Sequence, residues 1–345
     1  MKHSECRLID QGFAAGSCGV EAGGRRAPAC RVTLKHDDHQ IYRLITSIHL
    51  SRPENYLSIY QSGCNFSCRK CHSWYFSKIK EGEWYTPEQV CETARIYAAT
   101  VTLREPREKA TAWHAHDSCR CCGSCVVSGQ RAPQCPGVME PAAIRVSPQG
   151  FGPARNIVAF TGGDVTCCPE FYGACARLIK KNTELWVLIE TNGYGLTAPN
   201  LDYLRDSGVD AFWLDIKAYD SAKHKWLTGC DNDRILRLPA ELRRRNFVLE
   251  VLSLYIPGLV EADELENIAR LLTGVDPEIP FTLLAFFPEY RMQKYPVPQV
   301  QEMVAAYQRI KAGGLRKVRI GNVGIFARSQ ADRDYLRANV DADAF

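Results

Sequence analysis

With 345 residues the chain is long enough to bury a large core, either as one (β/α) domain or as two smaller units. Its 46% hydrophobic and 24% charged residues exclude disordered and fibrous classes, and no apolar run reaches the length of a membrane span. A net charge of +4, dispersed along the chain, leaves no basic footprint for nucleic acid. The tight run Arg243-Arg244-Arg245 falls near the end of an expected helix, where cations favour the dipole, and reads as a solvated face. Sixteen cysteines follow a start, Met1-Lys2-His3-Ser4-Glu5-Cys6, that has no apolar leader. A cytoplasmic location is therefore expected, and thiols kept reduced there point to metal rather than to a disulfide framework.

Residues 1–45 form an expected irregular N-terminal arm, rich in Gly, Ala, Arg and His through residue 40, with no sustained periodicity. Its Cys6, Cys18 and Cys30 lie too far apart for a local knuckle, so no ligand role is assigned to them. Residues 41–49 read as a strand or a helix leading into the main body, 46–328. A β-like run over 56–61 then opens into Gly63-Cys64-Asn65-Phe66-Ser67-Cys68-Arg69-Lys70-Cys71-His72, which spaces three thiols as C-x3-C-x2-C. A structural zinc or an ordinary 4Fe–4S cluster takes four protein ligands, so three thiols leave one iron of a cluster open. The plainer alternative is a zinc knuckle closed by a fourth group such as His72.

Thr86 and Pro87 signal a helix over 86–99, as N-cap and first helical residue, with Val90, Ala94 and Tyr97 at helical spacing and Cys91 in the core. Residues 104–153 break the pattern. Five thiols, Cys119, Cys121, Cys122, Cys125 and Cys135, stand among Gly123, Gly129, Pro133, Pro136 and Gly137. That composition describes a small metal-folded insert held by four of the five thiols. An auxiliary iron–sulfur cluster is favoured over a zinc ribbon because Cys135-Pro136 resembles a ferredoxin-type ending and because electrons must reach the first cluster.

After the insert, strands and helices alternate. Strands are expected at 157–160, 185–190, 211–217, 248–255, 281–286 and 318–325, with helices at 169–181, 200–207, 233–245, 261–272 and 297–312 and a C-terminal tail from 329. Alternation of this kind means an α/β fold with a parallel sheet and right-handed crossovers. Six or seven such units describe a partial or open (β/α)6-type TIM barrel, whose chemistry collects at the C-terminal ends of its strands. Three polar groups stand at those ends: Gly162-Gly163-Asp164, Glu190-Thr191-Asn192-Gly193 and Asp215-Ile216-Lys217. Two glycines let a backbone approach a ligand, and acids or a lysine closing apolar strands are costly unless paired or used. Cys167-Cys168 just beyond the first group is read as packing.

The Cys64, Cys68 and Cys71 loop resembles the cluster motif of the radical S-adenosylmethionine superfamily. Together with Gly162-Gly163-Asp164, Thr191-Asn192-Gly193, Asp215-Ile216-Lys217, Leu227-Thr228-Gly229 and Ile256-Pro257-Gly258, it is similar to the glycyl-radical-enzyme activating proteins of the pyruvate formate-lyase type. The resemblance spans residues 56–326, insert included. It implies a radical SAM core in which Cys64, Cys68 and Cys71 hold a 4Fe–4S cluster and S-adenosylmethionine chelates the open iron. Gly162, Gly163 and Asp164 would hold the methionyl amine. Glu190, Thr191, Asn192 and Asp215 would lie near the methionyl carboxylate, around a monovalent cation, and Lys217 would face the cofactor.

The implied activity is reductive cleavage of S-adenosylmethionine and hydrogen abstraction from a protein or peptide, or from another unactivated carbon, with no catalytic residue beyond the cluster. Modification of a different peptide or small molecule is the alternative within that class. An iron–sulfur or zinc module that carries electrons without turnover is the alternative outside it. A low-potential donor of ferredoxin or flavodoxin type is the implied partner. The chain departs from the family in three places: Lys70 stands where an aromatic residue usually precedes the last cysteine, Pro288-Glu289-Tyr290 replaces Pro-Tyr-His, and Asp164 stands for the commoner glutamate.

Overall fold

The apolar runs pair in parallel and in sequence order. Leu57–Gln61, Ile157–Gly162, Trp186–Thr191, Ala211–Asp215, Val248–Tyr255, Phe281–Ala285 and Val318–Gly321 follow one another across the sheet. This computed structural model describes residues 2–3, 6–37, 40–132 and 135–345; Met1, Ser4, Glu5 and Pro133 of the reading above lie outside the described residues. The pairing is parallel because each strand returns through a helix, and covering both faces lets whole runs be apolar. Ile157, Val158, Ala159 and Phe160 are all fully buried. The register sets Gly162 opposite Gln61, Thr191 opposite Leu214, and Asp215 opposite Leu252. The polar strand ends therefore share one edge of the sheet.

The helices form where the sequence signals stand. Thr86 caps Pro87–Ala98 in a reciprocal pair with Gln89, and Thr197 caps Ala198–Asp206. Glu170–Asn182, Asp233–Arg244, Ala262–Thr273 and Val300–Ala312 match the remaining expected helices within a few residues. In Ala262–Thr273 the buried set Leu265, Ile268, Ala269 and Leu272 keeps the 3–4 spacing that turns one face to the core. Arg243 and Arg244 pair with Asp276 and Glu241 at the surface, whereas Arg245, expected on the same solvated face, is largely covered and pairs with Asp202 and Glu241.

Four features differ from expectation. The N-terminal arm is not irregular: Lys2–His3, Leu34–His36 and Ile41–Leu50 extend the central sheet with antiparallel pairing, Val20–Ala22 and Arg25–Ala27 make a hairpin, and Ala29–Thr33 is a helix. Most of these strands are two or three residues long, too short to show alternation. The strand expected over 318–325 stops at Gly321, because Asn322 turns into the left-handed region (φ 58°) and starts the short helix Val323–Phe326. Ser221–Thr228, capped by Asp220, and Gln330–Asn339, capped by Ser329, are helices that polar composition disguised.

The cysteine-rich segment over 104–153, expected to be an insert, lies across the opposite, N-terminal edge of the sheet. Fully buried Arg155, one residue before Asn156 and the Ile157–Gly162 strand, pairs with Glu105 at 2.5 Å and donates to the carbonyls of Glu54, Lys109 and Thr111. Trp113 N–H donates to Glu250, Arg107 pairs with Asp210, and Arg52 donates to the carbonyls of Arg145, Gly152 and Pro153. A buried guanidinium with every acceptor supplied by the insert and strand starts is an anchor, and removing one member of such a pair leaves the other charge unpaired. Arg155→Met should lower unfolding free energy by about 3–5 kcal/mol in denaturant titration; a loss under about 1 kcal/mol would mean that the insert is held elsewhere.

Candidate active site

The Gly63 to His72 loop leaves the Leu57–Gln61 strand at a left-handed glycine, Gly63 (φ 77°). Its backbone is held from several sides. Gly63 N–H donates to Phe76 O (3.0 Å), Asn65 N–H to Asp164 O (2.8 Å), Ser67 N–H to Thr228 O (2.9 Å) and Arg69 N–H to Leu227 O (2.8 Å). The approach to the second glycine pair is closer than any side chain permits: a Cβ at Gly163 would lie 2.2 Å from Gly63 O and 2.6 Å from Gln61 O. This contact is the physical reason for glycine at that position.

Cys64, Cys68 and Cys71 are half-buried and share this loop. Burial pushes the Cys68 thiol up to about 12; the adjoining Cys71 and Cys64 charges push the same way, and the Lys217 ammonium opposes them. The thiols thus feel one another, as the spacing predicts. His72 does not close the set: its side chain is 76% exposed and sits 4.0 Å from Glu289 and edge-on to Phe287. Pro288-Glu289-Tyr290 reaches the same loop. Arg291 N–H donates to Arg69 O, and Tyr290, in the left-handed region, stacks on Trp74 at 5.3 Å.

The strand-end residues divide into two groups. Asp164 is buried and saturated: one carboxylate oxygen accepts from Thr166 N–H (2.9 Å) and Oγ1 (2.8 Å), the other from Thr191 Oγ1 (2.7 Å) and Asn192 N–H (2.9 Å). Asn192 then donates to Asn65 Oδ1 at 2.7 Å. Asp164, Thr191 and Asn192 therefore spend their side chains bracing the turns and the thiol loop, while Gly162 and Gly163 present backbone. Glu190 is tied to Tyr56 (2.9 Å) and Thr161 (2.5 Å), with Glu54 and Glu250 as its charged neighbours, and burial raises its carboxyl to about 8.

Asp215 and Lys217 stand with the thiols. They form an ion pair whose other carboxylate oxygen, Oδ1, is buried without a partner. Burial works against the Lys217 ammonium, yet Asp215 and the Cys68 and Cys71 thiols outweigh it and its pKa is raised. Lys217 and Cys68 line a small cavity with Lys70, Leu227, Thr228, Leu254 and Ile256.

Two lysines escaped the sequence reading as site residues. Lys70 is buried, its amine lies 3.4 Å from the Phe287 ring centroid with no hydrogen-bond acceptor, and desolvation lowers its pKa to about 8. Lys78 is buried and donates to Phe66 O, and its charge bears on Cys64 and Cys68. Lys70 could have been found from its position inside the motif; Lys78 carries no sequence signal.

Glu190 offers a pH test. A carboxyl that ionises near 4.5 when unfolded and near 8 when folded keeps an extra proton in the native state between those values, so stability falls as pH rises through that window. Glu190→Gln should flatten the melting temperature between about pH 5 and 8. An unchanged slope would show that Glu190 is already ionised at neutral pH.

A Radical SAM superfamily model matches residues 120–272, which takes in the Gly162, Glu190 and Asp215 strand ends but not the Cys64 loop. A Methanocaldococcus jannaschii protein assigned as a glycyl-radical enzyme activating enzyme is 33% identical over 135 residues, covering 37% of this chain and 49% of that protein. The 4-hydroxyphenylacetate decarboxylase activating enzyme of Clostridium scatologenes is 35% identical over 92 residues, covering 26% of this chain and 28% of the relative. The chain thus spans about half the length of the first relative and about a quarter of the second. A domain of pyruvate-formate lyase-activating enzyme from Bacteroides vulgatus has a TM-score of 0.42 at 20% identity, over 48% of this chain and 98% of that domain. Residues 120–272 thus match the Radical SAM superfamily model, on an α/β fold with a mostly parallel central sheet, and the chain is similar to glycyl-radical enzyme activating enzymes.

Proposed function

We propose that the chain is an activating-type radical S-adenosylmethionine enzyme. In this reading it holds a 4Fe–4S cluster through Cys64, Cys68 and Cys71, cleaves S-adenosylmethionine reductively, and takes hydrogen from a protein or peptide substrate, with a glycyl-radical enzyme as the favoured class. The observation that carries it is the grouping of three thiols, with His72 turned away, beside the Asp215–Lys217 pair at the edge where every strand ends. The seven parallel strands are read as a partial, open (β/α) barrel with its body over 46–328 and the insert over 104–153.

The residues present fit the implied groups. Three thiols are one short of a closed cluster site, Asp215 Oδ1 and the Lys70 amine are buried without partners, and Gly163 keeps the floor of the loop free of side chain. When bound, cluster and S-adenosylmethionine supply the electron transfer and the radical chemistry. The chain's own residues bind, orient and exclude water. Lys217 and Lys78 offset the charge of ligating thiolates. Asp215, Lys70 and Lys217 offer unspent charge to an amino-acid tail, and the Gly162-Gly163 backbone is open to its amine. Leu254, Ile256, Phe286 and Phe287 keep this side of the loop apolar. Glu190, Thr191 and Asn192 support these groups from behind, and a monovalent cation near Glu190 remains part of the proposal.

The insert is proposed to hold an auxiliary iron–sulfur cluster. Cys119, Cys122, Cys125 and Cys135 line one cavity with Val126, Met139, Ile144 and Phe151, whereas Cys121 lies outside its lining, bonded to Cys119 and to Asn55 Oδ1 (3.2 Å). This favours those four among the five thiols and gives a C-x2-C-x2-C run completed by Cys135-Pro136. Its place at the N-terminal edge sets about 15–20 Å of strand between the two thiol groups, so the supporting argument is the donor set and not proximity to the Cys64 loop. A low-potential electron donor completes the list of partners.

Anaerobic reconstitution, chemical reduction and measurement of 5′-deoxyadenosine test the reading. Wild type should release it from S-adenosylmethionine, and Cys64→Ala should lower the rate at least a hundredfold while keeping the insert's iron. Iron and sulfide without cleavage in wild type would make the chain an electron-carrying module instead.

A further inference from the structure

Cys6, Cys30, Cys167 and Cys168 look unremarkable in sequence, yet folding collects them from three distant parts of the chain. Cys30, Cys167 and Cys168 are 3%, 3% and 2% exposed, and Cys6, half-buried, precedes the short helix Arg7–Asp10. Their side chains form a closed ring of hydrogen bonds: Cys6 to Cys30 and Cys167, and Cys168 to the same two. The backbone fixes one side of this ring. A Cβ at Gly195 would lie 2.2 Å from Cys167 N, and Cys168 N–H donates to Val165 O at 2.8 Å.

Packing alone explains single buried cysteines, which behave as small hydrophobes. It does not explain why four thiols, each a weak hydrogen-bonding group, choose one another over the aliphatic residues of the same core. Four thiols in contact around a closed ring are the donor set of a tetrahedral structural metal site. Zinc–sulfur bonds of about 2.3 Å place neighbouring sulfurs about 3.8 Å apart, which is thiol contact distance. A 4Fe–4S cube would hold the four thiols on separate corners, out of contact with each other. Among the described residues no three metal-binding side chains already converge on one point, so binding requires the ring to draw inward.

The surroundings match the charge that would result. Four thiols binding one divalent ion release four protons and leave a net charge of −2. Fully buried Arg43 lies within electrostatic reach of Cys167 and Asp164, and Arg7 within reach of Cys168 and Glu170.

We infer that Cys6, Cys30, Cys167 and Cys168 form a four-thiolate site for a single zinc-class divalent ion, which ties the N-terminal segment to the turn that carries Gly162, Gly163 and Asp164. The site is distinct from the Cys64 loop and from the insert, and it stands whether or not the chain cleaves S-adenosylmethionine.

The test counts zinc, iron and sulfide per chain in purified full-length protein. Wild type should hold one zinc that the Cys167→Ser/Cys168→Ser double variant lacks, with iron and sulfide unchanged, while Cys119→Ser/Cys122→Ser keeps that zinc. Because the double variant can misfold, wild type is also alkylated with and without a zinc chelator, and modified peptides are identified by mass spectrometry. Cys6, Cys30, Cys167 and Cys168 should be protected together and released together by the chelator. Zinc absent from wild type, zinc lost only with the insert thiols, or a disulfide among the four would each overturn the inference.

Discussion

Everything at the motif edge depends on one backbone contact, the seat of Gly163 against the carbonyls of Gly63 and Gln61. Two adjacent parallel strands end in turns that press together without side chains between them, and Asp164 then locks the arrangement with four hydrogen bonds of its own. A buried carboxylate satisfied by four donors is rigid and directional. Through Asn192 and Asn65 the same lock reaches the thiol loop, so the spacing of Cys64, Cys68 and Cys71 is set by the sheet rather than by the loop itself.

The second organising principle is charge. Three thiols in one loop repel as thiolates, and the fold surrounds them with the ammonium groups of Lys78 and Lys217, with Lys70 close by. Only Lys217 has an acidic partner within bonding distance, Asp215, and that partner keeps one oxygen unsatisfied. Natural interiors rarely leave buried polar atoms without partners, and in the proposed function this oxygen is the one offered to the amino-acid tail. By contrast Glu190, equally polar and equally near a strand end, is already hydrogen-bonded to Tyr56 and Thr161, and burial raises its pKa.

Much of this was legible in the chain because it was written in short-range code. The parallel order of strands follows from alternation, the 248–255 strand matches its apolar run, and the Thr86 cap marks its helix start, whereas the Thr197 cap went unread and that helix begins two residues before the expected Asn200. The motif glycines and acids came out at the expected edge. What sequence could not show was long-range. Nothing near Asp164 reveals that its carboxylate is consumed internally, and nothing near Cys6 or Cys30 reveals Cys167 and Cys168, since those contacts exist only after arm and sheet have met. The short strands of the arm were invisible because two or three residues cannot display a period.

The position of the insert constrains traffic through the molecule. With Arg155, Trp113 and Arg107 fastening it over the starts of the strands, the lower mouth of the sheet is stoppered by the protein's own chain. Visitors to the sulfur loop must arrive from the upper rim, where Tyr75 and Trp226 stand exposed.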